Sequence, residues 1–232
     1  MKKILAIILV LLTVCACGGT KGAYTVEEGE EPEELMGGWY YNPDLPATND
    51  AVADAAITKD ESNMYVPLLE LGTQVVAGTN HLYLCYSNDF GFTASDAFCV
   101  VKVYEDLSNK AEITDVYKFD ILNYVDNEEE NTPDDLAGGW TDNVDGLNNM
   151  LDAELSEMFT KAFEGWTGVT YEPICMLASQ VVAGTNYAIL AKGTTVTAEP
   201  VTHLYIVTIY EKFDGSSAEI KNISGLNLAD IK

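Results

Sequence analysis

The heptapeptide Gln74-Val75-Val76-Ala77-Gly78-Thr79-Asn80 returns unchanged as Gln180-Val181-Val182-Ala183-Gly184-Thr185-Asn186. Seven identical residues recurring in a chain of 232 are beyond chance, so the chain carries an internal duplication and its fold has to be built twice. Two further pairs keep step with it. Leu35-Met36-Gly37-Gly38-Trp39 is answered by Leu136-Ala137-Gly138-Gly139-Trp140, 101 residues on. Val103-Tyr104-Glu105 is answered by Ile209-Tyr210-Glu211, 106 residues on, which is also the spacing of the heptapeptides. The difference falls between the Gly-Gly-Trp and the Gln, an interval suited to a helix of adjustable length.

Each repeat reads as one helix followed by a run of strands. In the first, residues 49–59 carry Ala51, Val52, Ala55 and Ala56 at helical spacing, with Thr48 or Asn49 as capping oxygen. Strand patterns follow over 65–76, 81–87, 98–105 and 111–120, separated by Gly-, Asn- and Asp-rich turns. In the second, residues 146–163 form a longer stripe through Leu147, Met150, Leu151, Leu155, Met158, Phe159 and Ala162. Strand patterns again follow, over 169–182, 187–192, 201–211 and 218–222. A helix preceding an antiparallel meander predicts an α+β layer pair in each repeat, residues 35–125 and 136–232, each long enough to fold alone. Between them, residues 126–135 are acidic and contain Pro133, the composition of a linker with a reach of roughly 17 Å as a flexible coil.

The Gly pair, the Gln-Val-Val-Ala-Gly-Thr-Asn and the strand ending in Val-Tyr or Ile-Tyr resemble the cystatin superfamily of cysteine-protease inhibitors, and within it the disulfide-free stefins. Pro46-Ala47-Thr48 ahead of the first helix is a further stefin-like feature, and the resemblance covers about residues 35–232. It implies two tandem cystatin-like domains, each one helix packed in a curled antiparallel sheet of four to five strands. It also implies reversible inhibition of papain-like proteases by a three-part wedge that enters the active-site cleft.

On that resemblance the trunk of the wedge is Met36, Gly37 and Gly38 in the first repeat and Ala137, Gly138 and Gly139 in the second. Glycine there lets the backbone pass close to the catalytic Cys of the protease. The first hairpin is Gln74, Val75, Val76, Ala77 and Gly78, and then Gln180, Val181, Val182, Ala183 and Gly184. The second hairpin departs from the family pattern: its usual Pro is lost, and the apolar member remains as Leu107 and as Phe213. The alternative is a surface lipoprotein that uses the same scaffold for adhesion or peptide capture.

The N-terminus has a signal of its own. Lys2 and Lys3 precede an apolar run from Ile4 to Val14, too short for an ordinary spanning helix, and then Ala16-Cys17-Gly18. This looks like a bacterial lipoprotein signal, with residues 1–17 as leader and Cys17 as the lipidated first residue; a plain cut after Ala16 is the alternative. Residues 18–34 are Gly-rich and then acidic, the composition of a solvated tether between a membrane anchor and the folded part. The expected location is therefore the cell surface.

The formal net charge is −25, and all 12 basic residues are Lys. No basic patch exists to hold a nucleic acid. His81 and His203 are the two histidines, one in each repeat and both inside strand patterns, and no nucleophile motif recurs beside them, so catalysis is not expected. No Cys or His spacing suits a metal, and no cofactor is expected. Cys85 and Cys99 lie symmetrically about Phe92, so a hairpin would bring them face to face, as a disulfide or, preferred here, as buried free thiols. Their counterparts in the second repeat are Ala191 and Tyr205.

Overall fold

The central strands of this protein are apolar on both faces, and that dictates its architecture. In a sheet covered on one side, apolar and polar residues alternate; a run such as Leu82-Tyr83-Leu84-Cys85 or Phe98-Cys99-Val100-Val101 demands cover on both. A computed structural model describes residues 37–41, 50–58, 65–87, 97–125, 138–143, 151–215 and 217–231. Cys17, expected as the lipid acceptor, the expected tether 18–34 and linker 126–135, Met36 and Ala137 of the expected trunk, and Leu147 and Met150 of the second stripe lie outside the described residues.

The first repeat forms β1 (Trp39–Tyr41), β2 (Tyr65–Val76), β3 (Gly78–Ser87), β4 (Phe98–Glu105) and β5 (Ala111–Lys118), paired antiparallel in that order. The second forms β6 (Trp140–Asp142), β7 (Val169–Val182), β8 (Gly184–Thr195), β9 (Thr202–Glu211) and β10 (Ala218–Leu226), in the same order. The short β1 and β6, which pair Trp39 with Gln74 and Trp140 with Gln180, are absent from the strand pattern of the sequence because three residues show no periodicity.

The expected α+β fold of two tandem cystatin-like domains, each with its own helix, is not what the chain forms. The structure is dominated by its two five-stranded sheets, and among the described residues one regular helix stands out, α2 (Ala153–Ala162). In the first repeat the helical segment is a single turn, α1 (Ala51–Ala53), continued by a π-helical turn over Asp54–Thr58. The side chains differ in size: α1 and its extension lay Val52, Ala53, Ala56 and Ile57 on their sheet, less apolar surface than the Leu155, Met158, Phe159 and Ala162 of α2. The cap is Asp50, whose Oδ1 accepts from Val52 N at 2.8 Å and Ala53 N at 3.2 Å. α2 is capped by Asp152, which accepts from Leu155 N at 2.8 Å. It lays Leu155, Met158, Phe159 and Ala162 on the sheet, against Ile189, Val207 and Ile209.

The opposite faces of the two sheets meet each other. Leu69, Leu71, Leu82, Leu84, Phe98 and Val100 share one core with Leu177, Ala188, Leu190, Leu204 and Ile206. Intervening residues face the other way: Tyr83, Cys85, Val101 and Val103 pack under α1, and Ile189, Ala191 and Val207 under α2. Glu34 to Lys232 thus form one compact unit around a core that neither repeat completes alone. Cys85 and Cys99 stand opposite each other across β3 and β4 as buried free thiols, and Ala191 stands opposite Tyr205. Burial, and then the neighbouring Cys99, push the Cys85 thiol well above its ordinary range, so that sulfur is not a ready nucleophile.

Two histidines, His81 buried and His203 exposed, give the fold a pH profile. His81 Nδ1 lies 2.6 Å from Glu70 Oε1, and its Nε2 is 3.6 Å from Glu105 Oε2. Burial opposes the imidazolium, but Glu70, Glu105 and Asp50 together outweigh it and raise the pKa above 6.5. His203, exposed but with its ring edge-on against Tyr41 at 5.0 Å, has its pKa lowered by the partial desolvation of that ring alone. The signs are opposite. His81 contributes stability that is full below 6.5 and lost as pH rises through its raised folded value; His203 contributes stability present above 6.5 and lost as pH falls through its lowered one. Denaturant titrations across pH 5 to 8 should therefore give greatest stability near the ordinary histidine pKa of about 6.5. His81→Gln should flatten the alkaline limb and His203→Gln the acid one; limbs unchanged in both variants would refute the assignment.

Candidate recognition edge

The duplicated heptapeptide forms the tip of the β2–β3 hairpin and, again, of β7–β8. In each, Val76 pairs with Gly78 and Val182 with Gly184, leaving Ala77 or Ala183 alone at the apex. So tight a reversal needs glycine. Gly78 has φ +140°, and a Cβ there would lie 2.4 Å from Glu105 O and 2.8 Å from the Tyr104 hydroxyl. Gly184 repeats this, with Glu211 O at 2.3 Å from a Cβ. The apex carbonyl is held from the neighbouring strand: Tyr104 Oη donates to Ala77 O, and Tyr210 Oη to Ala183 O, both at 2.7 Å.

The polar ends of the heptapeptide tie this hairpin to the trunk. Gln74 Nε2 donates to Gly37 O at 2.5 Å, and Asn80 Nδ2 donates to Gln74 Oε1 at 2.8 Å, which fixes the carboxamide orientation. Gln180 donates to Gly138 O in the same way, and Asn186 Nδ2 donates to Gln180 Oε1 at 2.7 Å. The two glutamines, expected as contact residues, thus spend their amides inside the molecule as clamps. Asn80, Asn186, Tyr104 and Tyr210 are the supporting residues that the sequence reading left without a role. Their signal was present, since all four belong to the repeated motifs.

Gly37 and Gly138 have φ +103° and +110°, which an L side chain adopts only under strain. Around them there is room. A Cβ on Gly37 would meet nothing within 4 Å, one on Gly138 only Val181 O at 4.0 Å, and one on Gly139 nothing. Intramolecular crowding therefore does not explain the trunk glycines; the backbone conformation does, and it leaves their open side free.

The third element is the turn after β4 or β9. Register places it beside the hairpin tip, because Glu105 pairs with Thr79 and Glu211 with Thr185. In the first repeat Asp106 Oδ1 accepts from Ser108 N at 2.8 Å and Lys110 N at 3.0 Å, and these bonds lower its pKa. Asn109 takes a left-handed φ of 61°. In the second, Gly215 takes φ 66° and its N–H donates to Lys212 O at 2.9 Å. Both turns are locked without the Pro that the family uses, and both present an apolar side chain: Leu107 is 86% exposed and Phe213 73%.

Trunk, tip and turn thus lie at one end of each sheet. Val75 at 58% and Val181 at 61% exposure complete an apolar fringe with Leu107 and Phe213, while Val76 is exposed and Val182 half-buried. Of the expected site residues that are described, all fall on these two ends. His81 and Glu70, away from these ends, are buried and bonded to each other. No protein-family model matches the chain, and no curated protein does.

Proposed function

We propose that each of the two ends is an inhibitory edge that blocks the active-site cleft of papain-family cysteine proteases, reversibly and without being cleaved. The observation that carries the reading is the threefold combination, present twice. A positive-φ glycine with open space beside it, an exposed Val tip and an exposed Leu or Phe turn sit together and are braced by matching hydrogen bonds. Rigid bracing matters because ordering loops on binding costs about 0.5–1.5 kcal/mol per immobilised side chain, and these are ordered beforehand. Exposed apolar side chains at the rim of a soluble fold are costly to hydrate and gain by burial on a partner. The glycine trunk admits the partner's surface close to the main chain, and no peptide bond is offered to the nucleophile. The resemblance of the motifs to those of cystatins supplies the protease class.

Papain titrated with the segment from Gly18 onward should lose activity stoichiometrically and recover it on dilution. Val75→Asp/Leu107→Asp/Val181→Asp/Phe213→Asp changes four exposed positions, two on each edge, so the fold should survive while the inhibition constant of each edge rises by more than about 100-fold, roughly 1.4 kcal/mol per substituted residue. A folded variant that inhibits as well as the parent would remove this function. Attachment through a lipid on Cys17 belongs to the same proposal, as it would hold the inhibitor at the cell surface. Cys17→Ala should release the protein from the membrane fraction and abolish incorporation of radiolabelled palmitate; retention with label would disprove the anchor.

A further inference from the structure

The two sheets meet in a way that decides how the two edges are disposed. Tyr41 of β1 packs on His203 of β9, ring centroids 5.0 Å apart. Asp142 of β6 accepts from Ala97 N, just before β4, at 3.4 Å. These contacts are the same contact made twice. Asp142 is the repeat counterpart of Tyr41, 101 residues on, and His203 is the counterpart of Ala97, 106 residues on. The halves are therefore related by an approximate two-fold axis, the isologous relation of a symmetric dimer, here within one chain. Further along, where the repeats run 107 residues apart, as the caps Asp120 and Asn227 show, the Asn222 amide donates to Tyr124 O at 2.9 Å and ties the two halves again.

Direction follows from register. Tyr41 pairs with Gly72, five residues from the Ala77 apex, whereas His203 pairs with Gly193, ten residues from the Ala183 apex. Each sheet thus sets its tip-ward part against the tip-distant part of the other, and the apices lie on opposite sides of the contact. At about 3.3 Å per residue the two stretches put the apices roughly 50 Å apart, somewhat less if the sheets cross at about 30°.

From this juxtaposition, and resting on the inhibitory reading above, we infer that the protein is a rigid two-headed binder. Its two edges point away from each other and hold two papain-like protease molecules at once, one at each end. A globular partner of about 200 residues has a radius of gyration near 16 Å, so two of them seated on opposed ends do not collide. The shared core fixes this separation; no linker length tunes it, and both heads cannot close on one monomeric protease.

Two measurements test this, on the segment from Gly18 onward. Spin labels at Ser108→Cys and Asp214→Cys, both exposed turn positions, should report a distance on the order of 50 Å by pulsed dipolar spectroscopy; one below about 30 Å overturns the opposed arrangement. Sedimentation with excess papain should give two proteases per chain for the parent. It should give one for Val75→Asp/Leu107→Asp and one for Val181→Asp/Phe213→Asp. A parent that takes one protease although each variant also takes one would show mutual exclusion and overturn simultaneous occupancy. A variant that takes none would show that its remaining edge is not a head. If neither parent nor variants bind papain, the inhibitory reading fails and two-headed protease capture with it, while the label distance still decides the geometry.

Discussion

Either repeat produced alone, as residues 35–125 or 136–232, should fail to fold as a monomer. Each would expose the sheet face that now meets its partner: in the first repeat Leu69, Leu71, Leu82, Leu84, Phe98, Val100, Phe119, Ile121 and Val125. Burial of such side chains is worth about 1.5–3 kcal/mol each, so the loss is comparable with or larger than the whole stability of an ordinary domain, about 5–15 kcal/mol. The two-fold relation offers an escape, since two copies of one half can cover each other as the repeats do. Sedimentation and near-ultraviolet circular dichroism should then find either an unfolded chain or a dimer. A well-folded monomeric half would mean that the shared core is dispensable. Within the intact protein the same coupling predicts one cooperative unfolding transition, and Leu84→Ala in the first repeat should cost about 2–5 kcal/mol of stability and lower the midpoint equally for probes in both.

Gly78→Ala and Gly184→Ala should be the most damaging conservative substitutions at the recognition edges. The added Cβ would lie 2.4 Å from Glu105 O in one case and 2.3 Å from Glu211 O in the other. Backbone oxygens in a paired strand cannot move aside, so the hairpin must open, and opening it breaks the Tyr104 or Tyr210 bond to the apex carbonyl. Overpacking and a φ unsuited to an L side chain together should cost about 3 kcal/mol, roughly a 10 °C fall in Tm for a chain of this size. Gly138→Ala is the contrast: its φ is +110° but its nearest atom is 4.0 Å away, so it should cost about 1 kcal/mol. Equal losses in differential scanning calorimetry for Gly184→Ala and Gly138→Ala would show that conformation alone, and not close approach, demands glycine at the tip.

Much of the local structure was legible in the residues. The bounds of β2, β4 and β7 follow from their patterns, the Cys85–Cys99 and Ala191–Tyr205 pairings follow from symmetry about the turn, and the duplicated motifs mark the two hairpin tips. The helices were harder. The stripe in the second repeat leads to α2, but its weaker counterpart gives a single turn and a π-helical continuation, because spacing alone does not say how much surface a helix of small side chains can bury. The role of Gln74 and Gln180 was also hidden, since a polar side chain reads the same whether it meets a partner or clamps Gly37 and Gly138.

The sequence by itself determined that this protein is built twice, which segments pair within each half, and where its exposed apolar tips stand, because these depend on turns and on neighbours in register. Only the tertiary structure decided that the halves are not beads on a linker. Leu82 and Tyr83 are both buried, but which of them faces a helix and which faces the other sheet depends on residues about 100 positions away. Apolar burial has no direction written into a strand: a face that needs cover can take it from a helix, a partner or a second sheet, and the chain closed on its own duplicate.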